Sequence, residues 1–378
     1  MGIFRPTVAE IHLSSLRYNF AQLRKVLPPT VRIMAMDKAD AYGHGAARIS
    51  NELAELGVAS LGVATVEEGL ELREAAVDIP ILVLGGLMGV GSAAAGMMVG
   101  ANLTPVVHSA DVLDFLEATS KAAGKTTGIH LKIDTGMTRL GVMPASVPHL
   151  LNKLKECGHL RLDGVMTHFA EAENHEYTSF QIAGFKGCVK QIEGALGTVP
   201  VWHVANSAAV AENEYLTNAT ACEHWARTGA AIYGAGSELV VAKFRTKPVM
   251  TLKSRIAMIK SVPAGTKISY GCTFEVKRQS RIGIVPIGYA DGYPFALSNK
   301  AQALVRGYRT PVVGRVTMDM TMIDLTDVED IHVGDEVVLM GEQGKERISC
   351  EEIAKWAGTL PYEILCGVSK RTPRIYIK

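Results

Sequence analysis

Between residues 31 and 228 the chain repeats one pattern eight times: an apolar run of strand length, then turn-prone residues. The runs fall at 31–36, 59–64, 81–84, 103–107, 129–133, 164–168, 201–205 and 224–228. Segments of helical spacing separate most of them, at 46–56, 66–75, 110–122, 147–157, 177–196 and briefly after Asn206. Strands covered on both faces are apolar throughout, and strands that alternate with helices build parallel sheets. Eight such units favour a closed (β/α)8 TIM barrel, although an open doubly wound sheet satisfies the same pattern. A barrel takes about 250 residues, and this chain has 378, so a second unit is expected. Past residue 245 the rhythm changes to strands at 249–260, 267–270, 282–287, 302–305, 320–325 and 336–340, split by Gly, Pro and Asp turns, with one helical segment at 351–357. We therefore read residues 10–245 as an α/β barrel domain and 246–378 as a mainly β domain, with the N-terminal strand, residues 1–9, packed on the latter. The segment 7–13 alternates as a short strand, and Ser14 is placed to cap a helix running to about Lys25.

Composition narrows the partners. Lys and Arg number 39 against 38 Asp and Glu, a net charge of +1 that gives no electrostatic reason to bind nucleic acid or an anionic membrane. A small-molecule substrate is expected instead. No run of some 18 uncharged apolar residues occurs, and the opening MGIFRPTVAEIHL lacks a signal-peptide core. The six cysteines show no CxxC pair and no metal-site spacing, so they read as reduced thiols of a cytoplasmic protein with no bound metal.

In a (β/α) barrel the reactive groups stand where strands end, on the C-terminal face. Polar residues gather there. Lys38 and Tyr42 follow the first strand, Lys132 and Asp134 end the fifth with Arg139 beyond, and His168 ends the sixth; His203, Asn206 and Ser207 belong to the seventh, Arg227 and Gly229 to the eighth. A lysine at the mouth of an apolar strand is partly desolvated, which lowers its pKa from about 10.4 and supplies the free amine of Schiff-base chemistry. A lysine that simply reaches solvent is the plain alternative. Asp37 opposes the free amine unless strand alternation turns it to the other face. His168 and His203, taken singly, also suit hydrogen-bonded core histidines. Asn206-Ser207 and Gly229-Ala230 lie where barrels commonly hold a phosphate with hydroxyls, backbone N–H groups and a helix N-terminus, so a phosphorylated ligand is expected. Gly89-Val90-Gly91 with Ala94 imitates part of a dinucleotide fingerprint but lacks its third glycine and its acidic residue, and reads as a surface turn.

KADAYGHG at 38–45, KIDTGMTRLG at 132–141, MTHFAEAE at 166–173, HVANSAA at 203–209, SYG at 269–271, IGYADGYP at 287–294 and GRVTMDM at 314–320, together with RPTVAEIHL at the start and KRTPRIY near the end, resemble alanine racemase. The matches come in order along nearly the whole chain. The resemblance implies a barrel plus β domain, pyridoxal phosphate as cofactor, a homodimer with shared active sites, and racemisation of L- and D-alanine that supplies D-alanine for peptidoglycan. The chemistry agrees with that cofactor: acid–base catalysis alone gives about 10² to 10⁴, so removing an α-proton needs an electron sink as well.

By the same resemblance Lys38 holds the cofactor and works with Tyr270 as one of two bases on opposite faces of the substrate, Tyr270 reaching into the neighbouring subunit's barrel. Arg227 faces the pyridine nitrogen and is oriented by His168, while Tyr42, Ser207, Gly229, Ala230 and Tyr233 hold the phosphate, with Asn206 nearby. Arg139 reaches the phenolic oxygen and the substrate carboxylate, and Lys132 is a site of carbamate formation. Met318 and Asp319 line the substrate side and Tyr289 narrows the channel. Three positions depart from the pattern: Asp37 before the lysine, Phe295 in place of an arginine, and Lys370 where several relatives have a tyrosine near the phosphate. The alternatives are a serine or broad-specificity racemase of the same fold, a pyridoxal-phosphate decarboxylase, whose glycine triplet and cysteine–aspartate pair are not evident here, and a cofactor-carrying barrel, which would lack the β domain.

Overall fold

The computed structural model describes residues 4–89, 91–212 and 222–378. Eight parallel strands close a barrel: Val31–Met36, Ser60–Val63, Ile81–Val83, Thr104–Val107, Thr127–Lys132, Leu160–Met166, Val201–His203 and Glu223–Thr228. The last pairs back on the first, with Met34 opposite Arg227. Alternation along each strand decides what goes where. In the first strand Ile33 and Ala35 face the helices, while Met34 turns inward to a separate cluster with Leu82, Val106 and Met166, against which Trp225 packs. Continuing the same alternation sends Asp37 outward to the helical layer and Lys38 over the barrel mouth. The inward residues of the fifth and eighth strands stack likewise, so that Lys132 and Arg227 cap the filled interior at its C-terminal end.

The second unit is a sheet whose order runs Tyr308–Pro311, Gln302–Val305, Glu336–Gln343, Met250–Arg255, Val8–His12, Arg374–Ile377, with Glu346–Ile348 added on Glu336–Gln343. Val8–His12 thus fills a gap between two C-terminal strands, antiparallel to Met250–Arg255 and parallel to Arg374–Ile377. Met258–Val262, Ser280–Val285 and Thr321–Asp324 form a second, three-stranded sheet, and Lys267–Ile268 pairs with Phe274–Glu275.

Several local expectations need correcting. The first helix is Leu13–Val26; it begins directly from the strand at His12, with no side-chain cap, so Ser14 lies inside it. The single strand expected at 249–260 is two strands in different sheets, broken after Arg255. The strand expected to reach Tyr270 stops at Ile268, and Tyr270 opens a 3-10 turn. The β domain has a second helix, Pro361–Gly367, with proline at its first turn. In the glycine-rich decoy Val90 lies outside the described residues, and Gly91 opens a helix, Gly91–Gly100. Among the described residues no helix is long and apolar enough to cross a membrane, no His, Cys, Asp and Glu group is arranged to hold a metal, and Cys157, Cys188, Cys272, Cys350 and Cys366 are free thiols.

Candidate active site

Lys38 starts a turn that the sequence did not announce. Ala39, Asp40, Ala41 and Tyr42 all adopt left-handed helical torsions, with φ between 53° and 56°. None is glycine, and each such residue costs about 1–2 kcal/mol. The turn is held from three directions. Glu68, at the start of helix Val66–Glu74, accepts the Ala39 N–H at 2.7 Å with one carboxylate oxygen and the Ala64 N–H at 2.6 Å with the other. Asp40 accepts the Ala46 N–H at 2.7 Å. From the β domain, Arg374 donates to the Gly43 carbonyl at 2.9 Å and, with its other nitrogens, to the carbonyls of Val368, Ser369 and Thr372. Gly43 itself must be glycine, because a Cβ there would stand 2.3 Å from the Leu365 carbonyl oxygen of helix Pro361–Gly367.

Lys38 is partly buried, and burial followed by the nearby Arg139 lowers its pKa. Asp37 does not oppose this. Its carboxylate faces the other way, accepting the Ser50 hydroxyl at 2.5 Å and the Tyr233 hydroxyl at 2.5 Å.

Below the lysine sits a cluster of cations. Arg227, 4 % exposed, donates to the carbonyls of His203, Thr167 (2.7 Å) and Val204 (3.1 Å), and its Nη2 lies 3.0 Å from His168 Nδ1. A guanidinium only donates, so Nδ1 accepts and His168 is neutral. Burial and then Arg227 hold its pKa down at about 2. His168 stands two residues past the end of its strand, which stops at Met166. Lys132 is 5 % exposed, and burial, Arg227 and Arg139 lower it to about 8. Arg139 is aimed by a loop folded round Asp134, whose carboxylate accepts the N–H groups of Gly136, Thr138 and Arg139 at 3.0, 3.0 and 3.2 Å.

The expected phosphate end is compact. Asn206 caps the helix Ser207–Glu212 by accepting the Ala209 N–H at 2.9 Å, and Ser207 Oγ accepts the Gly229 N–H at 3.3 Å. Gly229 precedes the short turn Ala230–Tyr233, and a Cβ on it would come within 2.6 Å of the Tyr42 hydroxyl. Ser207 and Tyr42 therefore both close on the Gly229 backbone. Tyr233 lies behind Tyr42. Only 2 % exposed, it gives its hydroxyl proton to Asp37 and backs the ring of Tyr42, with centroids 5.1 Å apart. The Tyr233 hydroxyl, expected at a phosphate, is in this structure engaged by Asp37. Tyr362, which the sequence reading passed over, stands edge-on to Tyr42 at 6.2 Å; a proline at a helix start, just before it, was the available signal.

A second group of expected residues gathers elsewhere, on the β domain. Tyr289 and Ala290 donate their N–H groups to Thr317 and Met318, and Ser269 donates to the Arg315 carbonyl, so that SYG, GYADGYP and GRVTMDM form one knot. Arg5 and Arg371 meet the buried Asp291 at its centre. The knot leaves Tyr270 73 %, Met318 52 % and Tyr289 46 % exposed. Tyr270 edges an open groove of about 890 Å³, lined also by Met258, Ile268, Ile284, Met320 and Met322. Asp319 is bound at 2.7 Å by Arg371 of the same chain, and the Phe295 ring lies 5.9 Å from the Arg315 guanidinium.

The family model for the alanine racemase N-terminal domain matches residues 11–237, and that for the C-terminal domain matches 249–376. The chain belongs to the alanine racemase family. The alanine racemase of Halothermothrix orenii is 41% identical over 377 residues, covering 99% of this chain and 97% of its own, and that of Methanococcus maripaludis is 40% identical over 381 residues, covering 99% and 100%. Among solved structures, the alanine racemase of Clostridium difficile 630 superposes with a TM-score of 0.91 at 36% identity, covering 100% of this chain and 97% of that one. The alanine racemase of Bacillus anthracis with bound L-Ala-P gives 0.91 at 32% identity, covering 100% and 96%. The family's enzymes racemise alanine, and the barrel-plus-β architecture expected from the sequence is the family's fold.

Proposed function

We propose that the chain is a cytoplasmic, pyridoxal-phosphate-dependent racemase of alanine that works as a homodimer, dividing at about residue 245 and making D-alanine for the cell wall. The observation that carries this reading is the convergence of Lys38, Tyr42, Arg139, Ser207, Arg227 and Gly229 at the C-terminal end of the barrel. The chemistry of these groups suits the cofactor. Ser207, the Gly229–Ala230 backbone and the Tyr42 hydroxyl suit a phosphate, and Lys38 has the lowered pKa that imine formation needs. Bound there, pyridoxal phosphate supplies the electron sink for the α-carbon's electron pair.

The protein's own residues do the rest. Lys38 Nζ takes or returns the α-proton on one face. Tyr270, exposed on its own chain, serves the barrel of a second copy from the opposite face, together with Met318 and Tyr289. Arg227 would donate toward the cofactor's ring nitrogen, and a guanidinium, which does not release its proton, would leave that nitrogen unprotonated. Arg139 holds the substrate carboxylate. Lys132 keeps ~10 % free amine at pH 7 for a pKa of about 8, enough to take up carbon dioxide; the resulting carbamate would exchange one of four crowded cations for an anion.

The test is the circular dichroism of L-alanine, and separately L-serine, incubated with protein and pyridoxal phosphate. Decay to zero for alanine with much slower serine supports the reading. Equal decay makes it a broad-specificity racemase. No decay, with the cofactor still reductively trapped on Lys38, discards racemisation in favour of a decarboxylase or carrier.

A further inference from the structure

Asp37 is a carboxyl group with no part in the chemistry above, yet it is adjacent to the cofactor lysine and only 1 % exposed. Both of its oxygens are engaged by hydroxyls, Ser50 and Tyr233, each at 2.5 Å, and among the described residues no cation forms an ion pair with it. The charged groups that face it, Asp40 and Glu68, are negative. Burial is the largest cause raising its pKa to about 6, so at neutral pH the fold carries a buried anion that weakens it. A group that destabilises its own fold beside a reactive lysine is a candidate for a functional role.

The contacts say what that role is. Tyr233 donates its hydroxyl to Asp37, with the Met36 carbonyl further off at 3.2 Å, and its ring lies 4.7 Å from the His44 ring and 5.1 Å from that of Tyr42. Tyr42 in turn carries its hydroxyl to the Gly229 backbone. A continuous chain therefore runs from Asp37 through Tyr233 to Tyr42 and the space expected to take the phosphate. We propose that Asp37 is a positioning residue for the cofactor's phosphate, fixing the Tyr233 hydroxyl and, through the Tyr233 ring, the pose of Tyr42. The proposal rests on the pyridoxal-phosphate reading given above.

The test measures pyridoxal-phosphate affinity of the apo full-length protein, from the visible absorbance of the lysine-bound cofactor, in a double-mutant cycle. Asp37→Ala is expected to weaken binding about tenfold, by leaving the Tyr233 hydroxyl only its longer, 3.2 Å contact with the Met36 carbonyl and so letting it move. In a Tyr233→Phe background, which has no hydroxyl to place, the same change should cost less than twofold. Additive losses would mean that Tyr233 meets the phosphate directly, and would overturn the proposal, as would Asp37→Ala binding within twofold of the native protein. A purely structural role would lower the melting temperature while leaving the affinity of the folded protein alone. Should Asp37→Ala not fold, Asp37→Asn, whose amide oxygen still accepts from Tyr233, is expected within about threefold and Tyr233→Phe about tenfold weaker; the reverse order overturns the idea. If the native protein gives no lysine-bound absorbance, the cofactor reading fails and this proposal with it. A native signal with an unchanged Asp37→Ala removes this proposal alone.

Discussion

Arg227 Nη2 and His168 Nδ1 stand 3.0 Å apart, and the direction of that bond leaves the histidine neutral with its proton on Nε2. Since burial and Arg227 hold His168 near pKa 2, it contributes no inflection to a pH–rate profile between pH 5 and 9. Replacing His168 by Gln should therefore change rates without moving the profile's apparent pKa values. A displaced acid limb would show that His168 titrates.

Arg227→Ala strands the carbonyls of Thr167, His203 and Val204 in a buried layer. Their lost partner is expected to reduce stability by about 3 kcal/mol, measured by urea unfolding of the apo protein. An unchanged midpoint would mean that water replaces the guanidinium.

Asp37 gives a pH-dependent stability with a definite sign. Its folded pKa, about 6, lies above the 3.8 of an ordinary aspartate, so between those values the folded state holds more protons and stability falls as pH rises. The full penalty, about 3 kcal/mol, is present above pH 6 and absent below pH 4. Asp37→Asn should accordingly unfold at higher urea than the native apo protein at pH 7.5, with the advantage narrowing at pH 4.5. An equal advantage at both pH values would remove the titration argument.

Glu68 has one carboxylate for two tasks, capping its own helix and holding the Ala39 N–H of the left-handed turn. Glu68→Ala is expected to lose about 1–2 kcal/mol and to speed deuterium exchange at Ala39 and Ala64. Protection unchanged at Ala39 would show that Asp40 and Arg374 hold the turn without Glu68.

Shared sites predict complementation. Lys38→Ala and Tyr270→Ala, each inactive alone, should on mixing and re-association recover about one quarter of native activity, since half the dimers are mixed and each mixed dimer has one intact site. No recovery despite subunit exchange would place both bases in one chain.

The barrel was legible because its strands are apolar on both faces, and the positions of Lys38, Lys132 and Arg227 followed from where those runs end. What stayed hidden has physical reasons. The left-handed turn at 39–42 contains no glycine, so nothing in the sequence distinguishes it from an ordinary helix start. Asp37 and Tyr233 are 196 positions apart, and neither residue type implies the other. Arg374 binds four backbone carbonyls, which every residue possesses, so no partner could be read. Tyr270 was found only through resemblance, and within one chain it faces solvent.

The hold of Arg374 on the Gly43 carbonyl also sets an order of events in the cell. The lysine loop leaves the ribosome more than 300 residues before the arginine that restrains it, and Val8–His12 must likewise wait for Arg374–Ile377 to complete its sheet. A nascent chain can thus fold the lysine loop on Glu68 and Asp40 before the contact from Arg374 exists, so the last of the three restraints arrives from a domain made later.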